Sequence, residues 1–143
     1  MSDQTIYTLG TDRRTEEDFI EILLAYSIDV VVDVRRFPKS SIPYFNRENL
    51  EAMLKEHSIR YVHLGKLLGG YRKGGYLQHT FTEEFKKGID EIERLAKDAT
   101  VVIICAERFP WRCHRRWIAR ALQKRHWSVV HIIDKGKLWI PRH

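Results

Sequence analysis

Two thiols, an imidazole and a carboxylate lie close together as Cys105, Glu107, Cys113 and His114, in the stretch VVIICAERFPWRCHRRWIARAL from Val101 to Leu122. A thiol beside a base can do nucleophilic or acid–base chemistry, and the same atoms are able to ligate zinc or iron. Cys113 is the better nucleophile, because the start of a helix depresses a thiol pKa. Cys105 ends a strand, where free cysteine commonly serves as a small apolar core residue. His114 suits a general acid or base, or a buried imidazole donating to a backbone carbonyl. Farther upstream, Asp33 and Arg35 flank Val34 and so share a face. Asp33 is expected to activate water or a substrate hydroxyl, and Arg35 to hold an anionic group.

These groups must be positioned by a strand, a loop and a helix. Val101, Val102, Ile103 and Ile104 form a β-branched run without polar alternation, the mark of a strand covered on both faces. Pro110 fits a first helical position, after which Trp117, Ile118, Ala121 and Leu122 recur at helical spacing. Cys113 and His114 stand four residues before Trp117 and Ile118, so both are expected in the helix's first turn, facing the sheet. The opposite face carries Arg112, Arg116, Arg120 and Lys124 at steps of four.

The rest of the chain repeats the alternation. Strand patterns over Thr5–Leu9, Asp29–Val34, Arg60–Leu64 and Ser128–Ile133 are separated by helical patterns, with Thr15, Asn46 and Thr82 as caps. The tail KGKLWIPRH adds a short edge strand ended by Pro141. Residues 64–81 hold five of the eight glycines and show no clear periodicity, as expected of a functional or mobile loop. These patterns predict a single α/β domain over 1–143: a three-layer α/β/α sandwich with a mainly parallel, about five-stranded, Rossmann-like sheet. The segments after the second, third and fourth strands then emerge at one sheet edge, where α/β folds build their sites.

Composition narrows the partners. The 143 residues contain 25 Lys and Arg against 19 Asp and Glu, a net charge of +6, which favours polyanions. Cations interleave with aromatics in three loops: Arg35, Arg36, Phe37, Lys39, Tyr44 and Phe45; Tyr71, Arg72, Lys73 and Tyr76; Arg108, Phe109, Trp111 and Arg112. Phosphate neutralisation with base stacking is how single-stranded or flipped-out nucleic acid is held. No long apolar span and no leader pattern is present, so a soluble cytoplasmic protein with reduced thiols, and no membrane partner, is expected. The pattern specifies no oligomer.

The motifs DVRRFPKS with Phe45 and Asn46, YVHLGKLLGG, and CAERFPWRCHRRWIA resemble the domain of unknown function 488 family, across nearly the whole chain. The resemblance implies an α/β fold and a site drawing on Asp33, Arg35, Ser40, Gly69, Gly70, Cys105, Glu107, Cys113, His114 and Arg115. It implies no particular reaction.

From the residues themselves we expect an enzyme acting on nucleic acid or a nucleotide-like anionic substrate, in a base-processing or repair reaction. Phe109 or Trp111 would stack on a base, and Phe45, Arg112 and the loop cations would complete the grip. Two alternatives remain: a non-catalytic nucleic-acid-binding module, and a metal or redox protein. In the metal case Cys105, Cys113 and His114 would bind zinc or iron with Glu107 or Asp33, although paired ligand spacing is missing and no cofactor is expected. A cysteine-phosphatase loop on Cys105 would need arginine at 111, where Trp111 stands and Arg112 falls one residue late. Glu107 would also repel phosphate inside that loop.

Overall fold

The computed structural model describes residues 4–38, 40, 42–70 and 72–140; Lys39, Tyr71 and Pro141 lie outside the described residues. In chain order the elements are β1 (Thr5–Gly10), α1 (Glu16–Ala25), β2 (Val30–Asp33), a 3-10 turn (Pro43–Phe45), α2 (Arg47–Glu56) and β3 (Arg60–His63). Two one-turn helices follow, α3 (Gly65–Leu68) and α4 (Tyr76–His79), then α5 (Glu83–Ala96), β4 (Val101–Cys105), a second 3-10 turn (Pro110–Arg112), α6 (Arg115–Lys124), β5 (Ser128–Asp134) and β6 (Lys137–Trp139). The sheet order is β3-β2-β4-β1-β5-β6, parallel throughout except for antiparallel β6 at the edge. The sheet thus has six strands where about five were expected, because the tail hairpin turns at Gly136 and pairs back on β5.

Strand alternation divides the core into two layers. Ile6, Val30, Val32, Val34, Val101, Ile103 and Cys105 face α5 and α6, where Ile89, Ile92, Ile118 and Leu122 cover them. Leu9, Val31, Val102, Ile104 and Ile132 face α1 and α2, packing on Phe19, Leu23, Leu50 and Leu54. Burial on both faces is why these strands carry unbroken apolar runs.

Side chains define several helix starts. Thr15 accepts the N–H of Asp18 and Thr82 that of Phe85, as expected. Asn46 stands at the N-cap of α2 but makes no capping bond; its Oδ1 instead takes the N–H of Ser40, at 2.6 Å. Helices α1, α2 and α6 end alike, on Ser27, Ser58 and His126 with positive φ. In each case the next amide, from Ile28, Ile59 or Trp127, donates five residues back, to Leu23, Leu54 or Leu122, and that apolar side chain is buried as the chain turns toward its strand.

The start of α6 differs from expectation. Pro110 opens a 3-10 turn, Cys113 is extended (φ −135°, ψ 154°), and His114 is the N-cap of a helix beginning at Arg115. The buried stripe is therefore Arg115, Ile118, Ala119 and Leu122. Trp117 is half-buried, with the guanidinium groups of Arg116 and Arg120 over its ring.

After β2 the chain crosses to α2 on one face, and after β4 to α6 on the other, so the neighbouring C-terminal ends of β2 and β4 open into a crevice. Its position is fixed by a close approach at Gly10, where a Cβ would lie 2.0 Å from the Glu107 carbonyl oxygen and 2.6 Å from Arg108 Cα. Both obstacles are backbone, so the loop itself must move. Gly10→Ala is expected to cost about 3 kcal/mol and lower Tm by roughly 10 °C; a calorimetric melt within 2 °C (about 0.6 kcal/mol,) of wild type would refute the tight fit.

Candidate active site

The crevice contains a cavity of about 450 Å³. Arg35, Arg36 and Phe37 line it from the loop after β2, Gly70 and Tyr76 from the long connection, and Cys105, Ala106, Glu107, Arg112, Cys113 and His114 from the loop after β4.

Cys113 sits between two nitrogens. Its Sγ lies 3.6 Å from His114 Nδ1 and accepts the backbone N–H of Arg115, at 3.4 Å, in the first turn of α6. His114 Nε2 is 3.1 Å from the Val34 carbonyl, which assigns one proton to Nε2 and leaves Nδ1 to take the thiol proton and donate to the resulting thiolate. Tyr76 holds the imidazole from the side, its ring 5.1 Å away and its hydroxyl donating to the Leu68 carbonyl. A Cβ on Gly70 would stand 3.4 Å from Nδ1, so glycine there leaves room beside the reactive pair.

The two thiols are driven apart in acidity. A hydrogen bond from Cys105, aided by His114 and the Arg115 charge, holds Cys113 well below the usual thiol range despite burial. Burial, and that same bond, push Cys105 well above it. Cys105 also points at the Glu107 carbonyl, at 3.7 Å, and packs in the core. Cys113 is the ionised sulfur and Cys105 its donor.

Several expected residues are committed to other contacts. The Asp33 carboxylate is fully buried and accepts from the Arg35 amide, Nε and Nη2 (3.0, 2.9 and 2.8 Å) and from the Tyr61 hydroxyl (2.6 Å). Those four donors occupy it, so it is not poised to activate water. Arg35 spends its remaining terminal nitrogen on the Phe45 carbonyl, at 2.8 Å, and is buried too, which makes it a brace rather than an anion hook. Arg115 is fully buried away from the cavity lining, donating to Thr8 Oγ1 and to the carbonyls of Glu107 and Arg108.

Ser40 lies at the approach to α2, accepting from the Ile42 amide. Phe45 is core, edge-on to Phe19. Gly69 packs on Arg36 Cα. Phe109 and Trp111 stack on each other (5.1 Å between centroids, 20° between planes), and Trp111 meets Trp139 of β6, outside the cavity.

Two aromatics that the sequence places only among the general loop clusters line the cavity itself: Phe37, 64% exposed in the wall with Arg36 beside its ring, and the imidazole-facing Tyr76. Beneath the loop, Thr8 Oγ1 and His131 Nδ1 lie 2.5 Å apart. Burial, then the nearby Arg115 charge, lowers His131 to about 3, so it is neutral. A polar residue within the apolar run of β5 was the available signal. Arg112 is exposed at the cavity mouth, and Glu107 makes no side-chain hydrogen bond or ion pair among the described residues. The metal reading loses Asp33 to Arg35, and among the described residues no three His, Cys, Asp or Glu side chains converge as a metal site.

The model of the family described as "Domain of unknown function DUF488" matches residues 15–75 and 72–122, which contain the cavity lining and leave β1, β5 and β6 outside. Nothing among the curated proteins or solved structures compared matches the chain. Among the described residues no helix is long and apolar enough to cross a membrane.

Two outcomes follow from this geometry. Iodoacetamide should label Cys113 at a rate that stays on its plateau as pH falls from 8 to 6, because a depressed thiol pKa keeps the thiolate in that range; Cys105→Ala should move the inflection upward. A Cys113 profile with the inflection of free cysteine would contradict the assignment. Asp33→Asn should lose about 3 kcal/mol by leaving Arg35 buried without its counter-charge, measured by urea denaturation.

Proposed function

The chain belongs to the DUF488 family, and from the cavity we propose that it is a cysteine-dependent enzyme acting on nucleic acid or a nucleotide-like anionic substrate, in a base-processing or repair reaction. The observation that carries this reading is the placement of the Cys113 sulfur between His114 Nδ1 and the α6 amide, on a cavity whose mouth carries Arg36 and Arg112. A sulfur so held is ionised at neutral pH and open to an electrophile, while the guanidinium groups favour a negatively charged substrate.

The roles are divided by geometry. Cys113 attacks an electrophilic carbon of the substrate, the S–C bond forming as the bond to the leaving atom breaks, and water later cleaves that S–C bond to release the thiolate. Cys105 lends a hydrogen bond that keeps the sulfur anionic before attack. His114, fixed through Nε2 on Val34, returns a proton from Nδ1 to the leaving atom. Glu107 is the carboxylate left to orient water once Asp33 is committed to Arg35. Phe37 takes the base-stacking role expected of Phe109 and Trp111, since it lines the cavity and they do not.

A panel of mononucleotides and short oligonucleotides, including damaged and modified bases, tests this by product analysis. Cys113→Ser and His114→Asn are expected to fold normally and to lower turnover at least about 10²-fold. A bound mononucleotide should also slow carbamidomethylation of Cys113. Full turnover in Cys113→Ser would end the proposal, and unchanged substrate after long incubation with salt-sensitive binding would replace it with a non-catalytic binding module.

A further inference from the structure

The outer face of α6 carries Arg116, Arg120 and Lys124, all exposed, at steps of four residues and so about 6 Å apart along the helix. None of the three is paired with a carboxylate among the described residues. Cations on the neighbouring surface behave differently: Arg94 pairs with Glu91, Lys86 with Asp90, and Arg125 with Asp90 and Glu93. The α6 row therefore presents uncompensated charge, and its upstream end lies near Arg112 at the mouth of the thiol cavity.

Flat apolar surface alternates with these charges. Trp117 has Arg116 and Arg120 over its ring, at 5.0 and 5.3 Å. Beside it, between α5 and α6, a second cavity of about 430 Å³ is walled by Phe81, Leu77, Trp117, Arg120 and Lys124. Phe81 is 79% exposed and Leu77 51%. Glu83 is the carboxylate on its rim, where Lys86 and Arg125 also stand. A large exposed aromatic needs a reason, and a row of cations beside flat rings suits a chain of phosphates with unstacked bases. An acidic peptide would use the charges and leave the rings idle, while a duplex keeps its bases from them.

We propose that this face of α6, with the Phe81–Trp117 groove, is a track for single-stranded nucleic acid. Arg116, Arg120 and Lys124 contact successive phosphates, Trp117 steadies the two guanidinium groups over its ring, and Phe81 receives a base. That the bound strand is also the substrate of Cys113 rests on the reading above; the binding itself does not.

Fluorescence anisotropy with a labelled single-stranded 12-mer, measured across a salt series, tests the track. The triple substitution Arg116→Gln, Arg120→Gln, Lys124→Gln should reduce the log–log salt slope by about 2 and weaken binding at low salt more than tenfold, with unchanged circular dichroism and unchanged Cys113 alkylation. Phe81→Ala should weaken the same complex severalfold with little change in slope. An unaltered slope in the triple variant overturns the track, as does equal affinity for duplex or for polyglutamate. If a mononucleotide protects Cys113 while the 12-mer binds no tighter than it, the track fails and the cysteine reading stands. If the 12-mer binds through the track yet leaves Cys113 fully reactive, the track stands and the substrate reading fails.

Discussion

The site depends on one buried cation. Arg115 has no exposed surface and no carboxylate partner among the described residues; its guanidinium is held by Thr8 Oγ1 and by the carbonyls of Glu107 and Arg108. Burying an uncompensated charge is expensive, so this arrangement persists only where dipoles and an opposite charge lie close. The carbonyls belong to the loop after β4, and the same residue's amide donates to Cys113. One side chain thus pins the loop, sets where α6 begins, and leaves a positive field in which the thiolate is the natural counter-charge. It also helps keep His131 neutral, which lets that imidazole accept from Thr8 and close the network under the sheet edge.

A second buried charge arrangement holds the other wall. The Asp33–Arg35 pair uses all four acceptor positions of the carboxylate and ties the end of β2 to the Phe45 carbonyl. Such a pair adds little net stability over apolar replacements, but it fixes direction. Here it sends Arg36 and Phe37 over the cavity, while the Val34 carbonyl beside it orients His114. The two walls are linked through adjacent β2 and β4, so the geometry of sulfur and imidazole is inherited from strand register.

Much of this is legible in the amino-acid sequence. Unbroken runs such as Val30–Val32 and Val101–Ile104 announced a doubly covered parallel sheet, and Thr15 and Thr82 marked helix starts because their hydroxyls have one good use there. Apolar spacing puts Cys113 and His114 a turn too deep in α6, since it does not separate a 3-10 turn and an extended residue from continuous helix. Arg115 and Arg35 read as substrate cations because charge usually stays in water; their burial follows from long-range partners, Thr8 and Phe45, that local sequence does not reveal. Phe109 and Trp111 share the site's edge but turn toward β6, a choice made by the tail strand that supplies Trp139.

The acidity of Cys113 carries a consequence for any anionic occupant. Arg115, His114 and the helix amide favour negative charge at one place, and the thiolate already fills it. An anion entering beside the sulfur raises the cost of that charge, so occupancy must push the thiol pKa back upward and, by reciprocity, ionisation of the thiol must weaken anion binding. The penalty is least if an occupant's negative group sits away from the sulfur, near Arg36 and Arg112 at the mouth. A strongly depressed thiol is also a weaker nucleophile per ion than an ordinary thiolate. A cavity built this way favours a stable, fixed anion over raw reactivity, in keeping with a sulfur held by three donors and an imidazole locked on a backbone carbonyl.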